Sequence, residues 1–364
     1  MRVLFIENNM SSQCNSSHNV TFFYKLVEKE IRENWTTRDS LLLGLGLPFS
    51  LIVVLANLLV MVAIVLNHRF HLPIYYLLGN MAAADLFAGL AYANLILNTG
   101  PWTRRLSKTQ WYIRSALVDI SLTSSVANLL AVAFERHQTI ITMQLHSTMS
   151  KRRVLLLIVS IWVAGIIMGL VPSLFWNCEC DHDDCSTIAP LYSRRFLIFW
   201  AGLNLLTFFI MVIMYSRIFF YVKCQSRNVS PHTMEERQQT VINLMKTISM
   251  VLGAFVICWT PGLITLLVDG LMGKNSNAKK YEKYCLVIAE CNSLVNPIIY
   301  SLRDVEMRKT FKWILSCLCR KGDCQQRESL PTDTGSQLTE KTLTTLHTYM
   351  LEDQVLLEPE DTKR

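Results

Sequence analysis

Two arginines on one apolar stretch carry the first chemical signal. From Trp111 to Met143 the chain runs WYIRSALVDISLTSSVANLLAVAFERHQTIITM, with Arg114 and Arg136 22 positions apart. In an α-helix that spacing is about 33 Å of rise, and a bilayer's hydrocarbon core is about 30 Å thick. One guanidinium therefore falls at each membrane face, and only Asp119 and Glu135 are acidic between them. Such a helix can sense charge outside with Arg114 and report inside through Glu135-Arg136. A plain spanning helix with two anchoring arginines has the same spacing.

Three acids, Asp85, Asp119 and Glu290, sit inside apolar runs. An acid within a membrane is costly, which makes each a candidate for function. Asn57, Ser125, Asn128, Asn292 and Asn296 supply polar groups for a core around Asp85. That core either holds a cation such as sodium or is a closed hydrogen-bonded structure, and the pattern fits both. Cys258-Trp259-Thr260-Pro261 and Asn296-Pro297-Ile298-Ile299-Tyr300 put prolines inside apolar runs. A proline removes a backbone donor and crowds the preceding turn, so both helices are expected to kink. A large aromatic beside such a kink is a natural moving part.

The elements that position these groups are membrane helices. The chain has 364 residues, 51% hydrophobic and 17% charged, with mean hydropathy +0.29. Soluble domains carry about 25% charged residues. The net charge of +7 lies on no basic stripe of a soluble domain, which argues against nucleic acid as a partner. Seven apolar runs follow residue 38, each reaching or approaching the ~20 residues a span needs. The segment before them holds four Asn-X-Ser/Thr sequons, at Asn9, Asn15, Asn19 and Asn34, which favours an extracellular, glycosylated N-terminus. The start, MRVLFIENNM, is too short an apolar run for a cleavable signal peptide, so the first span would insert the chain. Basic residues number sixteen in the short inner segments and nine in the outer loops, which agrees with that orientation. The outer basic residues suggest an anionic ligand, although Arg104, Arg105 and Lys108 read better as contacts to lipid phosphates.

The expected organisation is an N-terminal cap over 1–38, a seven-helix all-α membrane domain over 39–302, a short amphipathic helix on the inner surface over 303–319, and a disordered, Ser/Thr-rich cytoplasmic tail over 320–364. Phe311, Ile314, Leu315 and Leu318 share one face of the amphipathic helix. Cys317 and Cys319 at its end are candidate palmitoylation sites. Cys14, Cys178, Cys180 and Cys185 lie in polar segments, and four cysteines allow three pairings. A transporter or channel would show repeated broken helices or a lined pore; the chain has no internal repeat, and three isolated acids are few. No cluster with metal-ligand spacing lies in the spans, so neither an enzyme nor a cofactor is expected.

Asn57, Asp85, Glu135-Arg136-His137, Trp162 and the two proline motifs, each in its own span, resemble the rhodopsin-like G-protein-coupled receptors over about residues 40–318. HLPIYYLLGNMAAADLFAGLAY, SLTSSVANLLAVAFERH, LFWNCECDHDDCS, APLYSRRFLIFW and VLGAFVICWTPGL are similar to lysophosphatidic acid receptors. So is the presence of Trp111 and Thr207, where most rhodopsin-like receptors have a cysteine and a proline. The resemblance implies that Arg114 binds a ligand phosphate, helped by Lys283, Tyr24 and Lys29, and that Trp200, Trp259, Gly262 and Leu263 line a slot for the acyl chain. It implies Cys178–Cys185 and Cys14–Cys180 disulfides. It also implies a G-protein site at Glu135 and Arg136, reached when the sixth span swings below Pro261, with Tyr215, Asn296, Pro297 and Tyr300 in the switch. Heterotrimeric G proteins, arrestin and receptor kinases would be partners on the inner side, and membrane lipid surrounds the spans. One position departs: the residue after the key arginine is glutamine in lysophosphatidic acid receptors and glutamate in sphingosine 1-phosphate receptors, and here it is Ser115. A serine cannot pair with sphingosine's ammonium, so that ligand is the disfavoured alternative. Asp119, one turn away, is then a candidate for the glycerol hydroxyl.

Overall fold

The computed structural model describes residues 18–71, 73–141, 150–225, 235–275 and 277–319. Among these, a short cap helix α1 (Val20–Leu26) precedes seven long helices. They are α2 (Thr37–Leu66), α3 (Pro73–Leu97), α4 (Lys108–Ile141), α5 (Lys151–Leu174), α6 (Arg194–Gln225), α7 (Glu235–Met272) and α8 (Glu282–Arg303), and α9 (Val305–Cys319) follows them. All seven are long and apolar enough to cross a membrane, as the seven runs predict. In lipid every backbone N–H and C=O must be paired within the segment, and a helix does this with local bonds alone. The chain is a multi-pass membrane protein. Residues 1–311 make one compact unit; residues 312–364 make a second, whose described part, Lys312–Cys319, is the end of α9.

The helices close a ring. α2 packs on α3 and α8, α3 on α4, α4 on α6, α6 on α7, and α7 on α8, while α5 lies against α4 and α3. α4 is the hub: 61% of its most apolar window is buried, against 22% for α5. The α4–α5 contact depends on missing side chains. A Cβ at Gly165 would lie 2.5 Å from Ser124 Oγ, and one at Gly169 2.6 Å from Ile120 Cγ1. Small residues four apart let membrane helices approach this closely.

Helix ends depart from the apolar runs where water takes over. α7 begins at Glu235, well before the apolar run that starts at Thr247, because Glu, Arg and Gln are good helix formers once the backbone leaves the lipid. α9 begins at Val305 rather than Arg303. Asp304 breaks the helix with an extended ψ of 107°, and its carboxylate accepts the Met307 N–H at 3.0 Å. Pro261 and Pro297 lie inside helices that continue past them. The N–H that Pro297 lacks would have bonded the Ser293 carbonyl, one turn back. That carbonyl accepts Asn57 Nδ2 instead, at 2.9 Å, so a side chain of α2 satisfies the gap in α8.

One end of the bundle is closed by the cap and by the 178–193 loop. Asn19 caps α1 by accepting the Phe22 N–H at 3.0 Å, and Asn19 and Asn34 are exposed. Asn9 and Asn15 fall outside the described residues. A disulfide joins Cys178 to Cys185. Cys180 is also disulfide-bonded, and Cys14, its expected partner, lies outside the described residues. The loop is fastened to α7 by Asp269, which accepts from Ser186 Oγ at 2.6 Å and from the Thr187 N–H at 3.1 Å. Cys317, near the end of α9, is disulfide-bonded. The side chain of Cys319 is outside the described residues.

Candidate functional site

Two adjoining cavities open the half of the bundle beneath the cap. One, the more polar of the two, is about 620 Å³, carries charged side chains of both signs, and reaches the cap and the starts of α2 and α8. The other is narrower and apolar, about 170 Å³, and runs down to Trp259. Tyr24, Tyr92, Leu95, Arg114, Glu282 and Leu286 line both, so Arg114 stands where they meet.

The spacing that puts Arg114 at the outer face also puts it one turn below Trp111. Its guanidinium sits 5.4 Å from that indole's ring centre, and Nη1 donates to the Asn98 carbonyl at 2.9 Å. The residue is 7% exposed and its Nε has no hydrogen-bond partner. It joins none of the ion pairs formed among the described residues. A buried cation with an open donor is primed for an anion.

Tyr24, Lys29 and Lys283 gather around the same polar cavity. Trp111 Nε1 donates to Tyr24 Oη at 3.2 Å, which leaves the phenol free to donate its own proton. Burial raises the Tyr24 pKa, but the charges of Arg114 and Lys29 with the Trp111 bond outweigh it and hold the phenol below its ordinary value. Both lysines are already paired. Lys29 Nζ binds Glu282 Oε2 and the Ile188 carbonyl, each at 2.6 Å. Lys283 Nζ pairs with Asp39, which Thr36 Oγ1 also holds at 2.7 Å.

Ser115, Asp119, Trp200, Trp259, Gly262 and Leu263 all line the apolar cavity. Asp119 is engaged: it accepts from Tyr192 Oη at 2.8 Å. Burial and that carboxylate keep the Tyr192 phenol protonated, its pKa well above the ordinary value. Gly262 leaves room, since a Cβ there would meet only Cys285, at 3.9 Å. Sequence reasoning missed Tyr92, Leu95, Tyr192, Thr265, Cys285 and Leu286 among the lining residues. Tyr92 was legible in principle, because it lies seven positions after Asp85 and two helical turns keep a residue on one face. Tyr192 was not, because only the folded loop brings it to Asp119.

Below the cavities, Asp85 accepts from Asn296 Nδ2 at 2.8 Å and from Ser125 Oγ at 3.4 Å. Asn292 is buried in α8 and makes no hydrogen bond to Asp85. Glu290 stands apart from this group; it accepts from Ser50 Oγ at 2.5 Å and lines the polar cavity. At the end of the bundle away from the cap, Arg136 Nε lies 3.3 Å from Glu135 Oε2. Tyr215 and Tyr300 are each mostly buried, Tyr300 with its hydroxyl 4.0 Å from Met81 Sδ. Pro261 follows Trp259 in α7, and Trp259 packs on Phe255 at 5.8 Å between ring centres. Among the described residues no cluster of three or more His, Cys, Asp or Glu side chains is arranged to hold a metal.

Comparison with known proteins fits this arrangement. The 7 transmembrane receptor (rhodopsin family) model matches residues 56–300. Lysophosphatidic acid receptor 1 of Homo sapiens is 52% identical over 307 residues, covering 84% of each chain. Lysophosphatidic acid receptor 1-A of Xenopus laevis is 52% identical over 308 residues, with the same coverage. Lysophosphatidic acid receptor 2 of Mus musculus is 48% identical over 328 residues, covering 89% of this chain and 94% of its own. With a seven-helix ring, a buried arginine at the join of two outer cavities and identity on this scale, the chain belongs to the rhodopsin family of seven-transmembrane receptors, within the lysophosphatidic acid receptor family.

Proposed function

We propose that the chain is a plasma-membrane receptor, N-terminus outside, that binds lysophosphatidic acid and passes the event to heterotrimeric G proteins. The observation that carries this reading is Arg114, a buried guanidinium with an unpartnered Nε, between a cavity lined by basic residues interleaved with carboxylates and one lined mainly by apolar side chains. A lysophosphatidic acid has the same two halves. Its phosphate monoester carries a charge of about −1.5 to −2 and makes charge-assisted hydrogen bonds to Arg114, Lys29, Lys283 and Tyr24. Its single chain enters the slot between Trp200, Leu263 and Trp259, and each buried methylene contributes about 0.8 kcal/mol. Ser115 offers no charge for a sphingoid ammonium, which is why the sphingosine 1-phosphate reading ranks second.

Binding would favour a state in which α7 moves below Pro261 and exposes Arg136 to a G protein, with Tyr215, Asn296, Pro297 and Tyr300 in the rearrangement. A ligand does this only through its difference in affinity for the two states. Arrestin and receptor kinases would meet the tail beyond α9. The test is guanine-nucleotide exchange in membranes exposed to 1-oleoyl lysophosphatidic acid, for wild type and Arg114→Ala at matched surface expression. Losing hydrogen bonds to a charged group at about 1.5–3 kcal/mol each predicts a potency drop of about tenfold to a hundredfold or more. Equal potency would refute the phosphate role of Arg114, and a response to sphingosine 1-phosphate alone would favour the second reading.

A further inference from the structure

Three buried polar atoms around the two cavities lack a hydrogen-bond partner: Arg114 Nε, Trp259 Nε1 and Tyr92 Oη. Buried polar groups are almost always paired, so each calls for an explanation. Arg114 has one in the phosphate. Trp259 lies at the deep end, with the chain. Tyr92 has none so far. It is 2% exposed and lines both cavities. Standing two turns of α3 beyond Asp85, it is about 10 Å farther along the helix, at the level where the charged space gives way to the apolar slot.

That level is where the head of a lysophospholipid joins its tail, and two groups of the ligand fall there. The glycerol hydroxyl both donates and accepts, and α4 offers Ser115 and Asp119 for it. The acyl ester carbonyl only accepts, so it needs a donor. Tyr92, on α3, carries a hydroxyl proton with no acceptor in the protein. We propose that Tyr92 donates its hydroxyl proton to the acyl ester carbonyl of the bound lysophospholipid, and so senses how the chain is joined to the glycerol. The assignment rests on the reading of the ligand given above.

The test compares two ligands on one receptor: 1-oleoyl lysophosphatidic acid and its 1-O-oleyl ether analogue, in which a methylene replaces the carbonyl. Affinities are measured by competition binding on wild type, Tyr92→Phe and Arg114→Ala. Wild type should prefer the ester. Tyr92→Phe removes one oxygen and should weaken the ester by about three- to tenfold, the worth of a neutral hydrogen bond, while the ether hardly changes, so the preference collapses. Because the readout is a ratio on the same receptor, a lower folded fraction cancels. Arg114→Ala should weaken both ligands together and keep the ratio. Equal loss of both ligands in Tyr92→Phe, or no loss of either, overturns the role of Tyr92 and leaves the ligand reading standing. Wild type binding neither ligand overturns both.

Discussion

A lysine already held by a carboxylate must be released before it can hold a phosphate. Lys29 is tied to Glu282 and Lys283 to Asp39, whereas Arg114 has an open donor. The order this implies is Arg114 first, with the lysines changing partner afterwards. Glu282→Gln should therefore raise affinity for 1-oleoyl lysophosphatidic acid, since Lys29 then loses a competitor. A partly exposed pair is worth about 0.2–1 kcal/mol, so the gain is up to about fivefold, read by saturation binding, and Lys29→Ala should move affinity the other way. A loss of affinity in Glu282→Gln would mean that the carboxylate positions the lysine for the ligand and does not compete with it. A second residue sets the depth of the slot. Gly262 faces only Cys285, so Gly262→Leu should fill the space and shift preference toward shorter acyl chains. Each methylene denied burial costs about 0.8 kcal/mol, and a series of chain lengths measured on the variant would show where the optimum moves.

The helices as elements were legible because lipid leaves the chain no alternative. Long apolar runs must be helical, and the spacing from Arg114 to Arg136 is enough to set α4 across the bilayer. Contacts between elements were legible only where a residue type demanded them. The α4–α5 contact was not read from the sequence: Gly165 and Gly169, four residues apart on α5, let Ser124 and Ile120 of α4 come against bare backbone. Gly169→Val would force Ile120 aside, and overpacking of this kind costs about 1–3 kcal/mol. Lower thermal stability of the purified receptor in detergent, with reduced surface expression, is the expected outcome; unchanged stability would show that α5 is free to move away. The loop contacts were not legible. Asp269 anchoring Ser186 and Thr187 and Tyr192 reaching Asp119 join residues about 70 or more positions apart, and no local pattern announces such pairs. The sequence made Asp119 a candidate for the glycerol hydroxyl; the fold has one of its oxygens accepting from Tyr192.

At the scale of the molecule, a cavity near one membrane face has to bias a charge pair near the other. The groups between are packed: Trp259 at the floor of the slot stacks toward Phe255, and Phe255 meets Phe208 of α6 edge-on at 5.2 Å. A close-packed interior has discrete alternatives and does not deform continuously, so pressure on Trp259 is relieved by moving α7 as a body. At the inner end the Glu135–Arg136 pair stabilises whichever arrangement keeps them together. If that is the inactive one, Glu135→Gln should raise the fraction of receptor competent for G protein, by about two- to fivefold for a pair worth about 0.5–1 kcal/mol. Linkage then adds a second requirement. A larger competent fraction must raise the apparent affinity for the lipid by the same factor while that fraction stays small, since a ligand that favours one state binds in proportion to its population. Basal guanine-nucleotide exchange and lipid affinity measured on one membrane preparation of Glu135→Gln should thus rise together. A rise in basal exchange with unchanged affinity would uncouple the two ends and show that the Arg136 switch is not driven from the lipid cavity.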